Sequence, residues 1–139
     1  MINIKPLKAY TDNYIWLLET NEEVSVVDPG DAKPVLDYLS KTNKNIRDIF
    51  ITHHHFDHTA GVPELENIIS GSIYGPKNSY ELINEKVTQG DTLSSLGIKF
   101  EIIEVPGHTL DHIAFYNEEN DILFCGDTLF AGGCGRVFE

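Results

Sequence analysis

All six histidines of this chain fall in two short segments, Thr52-His53-His54-His55-Phe56-Asp57-His58 and Pro106-Gly107-His108-Thr109-Leu110-Asp111-His112. Clustering this tight needs a local cause, and the flanks of the first segment supply one. Ile49-Phe50-Ile51 before it reads as a short buried strand, and Gly61 after it as a turn. Residues two apart in an extended chain project to one side, so His53 and His55 converge on one cation while His54 points away. Asp57 and His58 fall where the chain turns toward a helix, and they reach a second cation beside the first. Imidazole with carboxylate is the ligand set of Zn²⁺, or of Fe and Mn, and mixed His/Asp sites accompany hydrolytic rather than structural zinc. The run is internal and interrupted by Phe56 and Asp57, which sets it apart from a tag or a string of surface histidines.

The strand before the cluster has companions. Tyr14 to Leu18 and Val24 to Val27 are rich in β-branched and aromatic residues, and the polar stretch Thr20-Asn21-Glu22-Glu23 between them reads as a hairpin turn. Asp31 then caps a helix with Pro34 in its first turn and Val35, Leu36 and Leu39 at helical spacing. Beyond the cluster, Pro63 to Ile69 predicts a second helix, Ser72 to Tyr74 a strand, and Asn78 to Glu85 a third helix. From Gly90 the pattern is β: Ile98 to Val105, His112 to Tyr116 and Ile122 to Cys125, with Asn117 to Asp121 as a hairpin turn. Helices and strands intermixed over short loops predict an α/β layered fold with a sheet that is largely antiparallel or mixed.

At 139 residues, 41% of them hydrophobic, the chain suits one core and one domain, residues 1–139. No stretch approaches the about 20 apolar residues of a membrane span, and the start lacks the apolar centre of a signal peptide, so the expected compartment is the cytoplasm. Two cysteines, Cys125 and Cys134, make no disulfide framework and are expected to be free thiols. A formal charge of −12 with ten dispersed Lys and Arg disfavours nucleic acid and favours a small-molecule substrate.

Further candidates lie outside the first cluster. His108 after Pro106-Gly107 reads alone as a loop residue or as a ligand, and His112 as a hydrogen-bonding neighbour of a ligand or as surface. Asp127 in Phe124-Cys125-Gly126-Asp127-Thr128 ends a buried-looking strand, where a carboxylate either bridges two cations or forms a turn. Asp28 in Val27-Asp28-Pro29-Gly30 poses the same choice between holding a ligand histidine and capping the next helix.

In this order the pieces resemble the metallo-β-lactamase superfamily, whose hallmark is His-x-His-x-Asp-His followed by a later His and a bridging Asp. The match is most similar to the glyoxalase II family, and it runs over essentially the whole chain. It is carried by Thr11 to Tyr14, Val27 to Asp31, Thr52 to His58, Pro106 to Thr109, and Cys125 to Phe130 leading into Gly132-Gly133-Cys134-Gly135-Arg136.

The resemblance implies an αββα sandwich with two divalent metal ions at one edge, between the sheets. His53, His55 and His108 would hold one, Asp57 and His58 the other, and Asp127 would bridge. Asp57 would also orient the attacking water, and Arg136 would contact glutathione. The implied reaction hydrolyses the thioester of an S-(2-hydroxyacyl)glutathione, S-D-lactoylglutathione above all, to glutathione and a 2-hydroxy acid, D-lactate, in methylglyoxal detoxification.

The chain departs from the family pattern at Asp111, where glycine is usual, and at its end. Family members continue past the position of Glu139 with further sheet and helix, another ligand His and a helical substrate domain. The expectation is therefore a sandwich incomplete at the C-terminus, with a weakened second metal site, poor hydrolysis by the 139 residues alone, and an exposed sheet edge open to self-association. Rival readings are a persulfide dioxygenase-like enzyme with a single iron, against which the full ligand set counts, and a non-catalytic metal-binding fragment. A β-lactamase fits less well with the Gly-Cys-Gly-Arg segment.

Overall fold

The computed structural model describes residues 2–9, 13–77, 80–105, 112–124 and 136–137. The chain opens with β1 (Asn3–Ala9), β2 (Asn13–Glu19) and β3 (Glu23–Val27), an antiparallel meander in which Trp16 pairs with Val27 and Glu19 with Val24. Thr20 closes the expected turn, its hydroxyl accepting from Glu23 N at 3.1 Å. Helix α1 (Ala32–Thr42) starts on Asp31, whose carboxylate accepts from Lys33 N at 3.1 Å, and stops at Asn43 in the left-handed region, φ 59°. Its buried face is Ala32 and Val35 with Leu39 packed beside them. Leu36, expected on that face, lies outside it at 36% exposure.

The helix returns the chain to β4 (Asn45–Phe50), parallel to β3, and β5 (Ile73–Pro76) and β6 (Glu85–Val87) extend the parallel half. Between β4 and β5 lie α2 (Phe56–Thr59), α3 (Val62–Leu65) and a tighter 3₁₀ turn over Glu66–Ile68. The expected Pro63 to Ile69 helix is therefore present but narrows in its last turn. No helix forms over the described part of Asn78 to Glu85. Asn84 instead bonds the edge of β5, its Oδ1 accepting from Ile73 N at 2.9 Å and its N donating to Ile73 O at 3.1 Å, while Ile83 is buried. An apolar anchor and a ladder-like pair outweighed weak helical spacing there, and the chain turns at Glu81 and Leu82 before entering β6 at Glu85.

A second sheet contains β7 (Thr92–Ser95), β8 (Ile98–Glu104), β9 (Ile113–Asn117), β10 (Ile122–Phe124) and β11 (Arg136–Val137), antiparallel throughout in the order β11-β10-β9-β8-β7. The turn from β7 to β8 puts Leu96 and Gly97 at φ 54° and 82°, the paired positive values that match the twist of a two-residue hairpin.

Two apolar clusters fix the layers. In one, Ala32 and Val35 of α1 and Val62 and Leu65 of α3 pack on Ile15, Val26, Ile49 and Ile73 of the first sheet. In the other, Val27 and Phe50 of the first sheet meet Phe100, Ile102, Phe115 and Phe124 of the second. Phe50 stacks on Phe115 with ring centroids 4.8 Å apart and meets Phe100 edge-on at 5.3 Å, so truncating it to alanine would cost about 3–5 kcal/mol. The order is helices, sheet, sheet, consistent with an αββα sandwich. No helix among the described residues covers the outer face of the second sheet.

Candidate metal centre

The C-terminal ends of the parallel strands β3 and β4 open at the same edge of the first sheet, the place where α/β folds bind ligands. β3 is followed directly by Asp28, which takes φ 50°, a left-handed conformation that Asp tolerates better than most residues. β4 ends two residues before Thr52, and Thr52 and His53 are fully buried. The loop then bends into α2 as His58 N donates to His55 O at 2.9 Å and the Thr59 hydroxyl to the same carbonyl at 3.1 Å. Asp57 and His58 thus lie inside a short helix rather than in the loop before one.

Two glycines allow the β3 and β4 loops to touch. A methyl on Gly30 would stand 1.9 Å from Asp57 O, and one on Gly61 would stand 2.6 Å from Pro29 O. Neither contact is possible for a larger residue without moving backbone.

The imidazoles converge. His53 lies 4.9 Å from His55, 4.4 Å from His58 and 4.5 Å from His112, ring centroid to centroid, and stacks on His112 at 19°. His54 is exposed, with its ring edge-on to His55, as the period of two requires. His112 is buried at the start of β9. There Ile113 N donates to Thr52 O at 3.0 Å and Val105 N to His112 O at 2.9 Å, so the second sheet is bonded directly to the histidine loop.

One carboxylate organises the polar contacts. Asp28 Oδ1 accepts from Thr52 N at 2.8 Å, and its Oδ2 accepts from the Thr52 hydroxyl at 2.7 Å. His58 Nδ1 stands 3.2 Å from the same Oδ2, so in the neutral ring that nitrogen carries the proton and Nε2 the lone pair. The Asp57 carboxylate, 46% exposed, is 3.7 Å from His58 Nε2. Ligand-type atoms of Asp28, His53 and His58 lie within 4.8 Å of one another, near enough to share a cation. Asp28 is the least suited of the three to be a ligand, because both its oxygens already accept hydrogen bonds. Asp57, on the same turn as His58, is the better carboxylate. Imidazole lone pairs beside an exposed carboxylate fit a divalent cation such as zinc, iron or manganese.

The structure thus brings together His53, His55, Asp57, His58, Asp28 and His112. His108 and Asp127 lie outside the described residues, as do Cys125, Cys134 and the side chain of Arg136. Thr52 was missed as a member of the site. The available signal was a hydroxyl residue at the strand end directly before the histidine run.

The metallo-beta-lactamase superfamily model matches residues 11–139. The chain belongs to the metallo-beta-lactamase superfamily. Among curated members, the hydroxyacylglutathione hydrolase of Pseudoalteromonas translucida (strain TAC 125) is 51% identical over 146 residues, covering 100% of this chain and 55% of the relative. The chain spans about half the length of the curated relatives it matches. Among solved metallo-beta-lactamase folds, the BLEG-1 B3 metallo-beta-lactamase superposes with a TM-score of 0.79 at 22% identity, over 94% of this chain and 73% of that one. ETHE1 from Myxococcus xanthus superposes with a TM-score of 0.73 at 25% identity, over 91% and 57%. No helix of the described residues is long and apolar enough to cross a membrane.

Proposed function

We propose that residues 1–139 are the metal-binding catalytic domain of a hydroxyacylglutathione hydrolase, acting on S-D-lactoylglutathione and related S-(2-hydroxyacyl)glutathiones to give glutathione and a 2-hydroxy acid. The observation that carries this reading is the histidine-carboxylate arrangement at one sheet edge, with His58 Nε2 3.7 Å from the Asp57 carboxylate, in a chain 51% identical to a hydroxyacylglutathione hydrolase.

His53, His55 and His108 would hold one divalent cation, Asp57 and His58 a second, and Asp127 would be shared between them, with zinc the expected metal and iron or manganese accepted in its place. When bound, such a pair lowers the pKa of water toward about 7 and polarises the substrate carbonyl. The exposed Asp57 carboxylate orients the attacking water and takes its proton. Asp28 holds the His58 ring from behind, and Arg136 contacts the glutathione. The leaving thiolate needs little acid assistance. The reading includes a cytoplasmic location and self-association through an open sheet edge.

The test is hydrolysis of S-D-lactoylglutathione by the full chain, with metal content measured on the same sample and a β-lactam as comparison substrate. The expected result is at least one bound divalent metal and thioester hydrolysis that a chelator abolishes. Absence of bound metal, or β-lactam turnover exceeding thioester turnover, would overturn the reading.

A further inference from the structure

Thr52 is bonded through its N–H, its carbonyl and its hydroxyl. Its N–H donates to Asp28 Oδ1 at 2.8 Å, its carbonyl accepts from Ile113 N at 3.0 Å, and its hydroxyl lies 2.7 Å from Asp28 Oδ2 and 2.9 Å from His53 Nδ1. The hydroxyl has one proton for these two neighbours. An ionised carboxylate only accepts, so the proton goes to Asp28 and Oγ1 accepts from His53. His53 is thereby protonated on Nδ1 and carries its lone pair on Nε2.

We propose that Thr52 is a positioning residue of the metal centre, its hydroxyl fixing the His53 tautomer and joining His53 and His58 through one oxygen of Asp28. The inference rests on reading both histidines as cation ligands. The same Oδ2 that receives the Thr52 hydroxyl lies 3.2 Å from His58 Nδ1, so one carboxylate oxygen sets the orientation of a ring assigned to each cation. The hydroxyl is held in place as well. Both backbone groups of Thr52 are bonded, the residue is fully buried, and a β-branched side chain has few χ1 choices. His112, stacked 4.5 Å from His53, holds the face of the ring whose edge Thr52 holds. Loss of an outer partner of a metal-ligating histidine typically weakens metal binding about 10–100-fold.

The experiment compares the parent chain with Thr52→Val, which keeps the shape without the hydroxyl, and Thr52→Ser, which keeps the hydroxyl. Ring-nitrogen NMR of ¹⁵N-histidine protein, metal-free and in mildly alkaline buffer, reads the His53 tautomer. Competition with a chromophoric chelator reads Zn²⁺ affinity, and circular dichroism confirms folding. The parent and Thr52→Ser are expected to show Nδ1–H at His53, and Thr52→Val to lose it and bind Zn²⁺ about 10–100-fold more weakly. A parent with His53 protonated on Nε2 overturns the inference whether or not the valine variant folds. So does a folded Thr52→Val with the parent's tautomer and affinity. A parent with the Nδ1–H tautomer that binds no Zn²⁺ would instead overturn the functional reading beneath it.

Discussion

Two buried carboxylates, Asp28 at the end of β3 and Asp48 within β4, are held by similar contacts at different heights in the same sheet. Each accepts a backbone N–H from a residue 24 positions away, Thr52 or Ser72, at 2.8 Å. Each also accepts a short hydroxyl bond, 2.7 Å from Thr52 to Asp28 and 2.6 Å from Ser95 to Asp48. The difference lies in where the chain of bonds ends. From Asp48 it runs through Ser95 of the second sheet to Ser25 of β3, with 2.6 Å between the hydroxyls, and stops inside the protein. From Asp28 it runs to the buried imidazoles of His53 and His58 beyond the ends of β3 and β4. The first arrangement clamps two sheets together. The second, in the function proposed above, would turn the same local chemistry into a set of oriented ligands, and burial of a charge by itself does not separate the two uses.

Substitutions at the two ends test that division. Asp57→Asn is expected to lower thioester turnover roughly 100- to 10,000-fold while the thermal midpoint stays near the parent's, because an exposed amide folds equally well but neither takes a proton nor holds a cation as a carboxylate does. Near-full activity in that variant would remove Asp57 from the mechanism. Asp48→Ala should do the reverse. It strands Ser72 N, breaks the Ser95 bond to the carboxylate while leaving Ser95 its Ser25 partner, and costs about 3 kcal/mol, a fall in midpoint on the order of 10 °C, with metal content per folded molecule unchanged. Metal loss from a still-folded Asp48→Ala would show that the two networks are coupled.

A third polar contact, farthest along β2, adds a dependence on pH. Burial, and then the Glu19 carboxylate to which its hydroxyl donates, push the Tyr38 phenol from 10.0 up to about 12. A pKa raised on folding favours the protonated native state, so its contribution is full below pH 10 and is lost as pH rises from 10 toward 12. Tyr38→Phe should therefore remove part of the alkaline loss seen in denaturant titrations, Tyr74 and Tyr80 being raised too. Equal slopes for variant and parent would rule out this contribution. The smallest effect is expected of His54→Ala. Its side chain is exposed, and metal content measured by elemental analysis should not change. A loss like that of His55→Ala would mean that the loop faces the other way.

The sequence was most legible where one period or one residue type decided the outcome. Strand alternation placed His53 and His55 together and His54 outside, and Asp31 marked the start of α1. It was least legible where tertiary contacts decided. The edge strand β6 depends on Asn84 meeting Ile73, which no local pattern announces, and Leu36 had the right spacing but the wrong side of the helix. The short β7 over Thr92–Ser95 lacked the long apolar run that marked its neighbours, and its buried Ser95 is explained only by Asp48 across the interface. At the site, the choice between helix cap and ligand support for Asp28 could not be settled along the chain. In the structure the cap of the next helix is Asp31, and the Asp28 carboxylate instead meets Thr52 and His58.

The close approach of Gly30 to Asp57 O, 1.9 Å from where a methyl would stand, bears on how variation in this chain should be interpreted. In a saturation scan scored by survival, Gly30 would rank beside His58 although it supplies no chemistry. Its intolerance would come from the space that the backbone of another loop already occupies. Gly61, against Pro29 O, would score the same way. A map of intolerant positions here would outline the wall of the site as sharply as its ligands, and only a second readout, metal content per folded molecule, would tell one from the other.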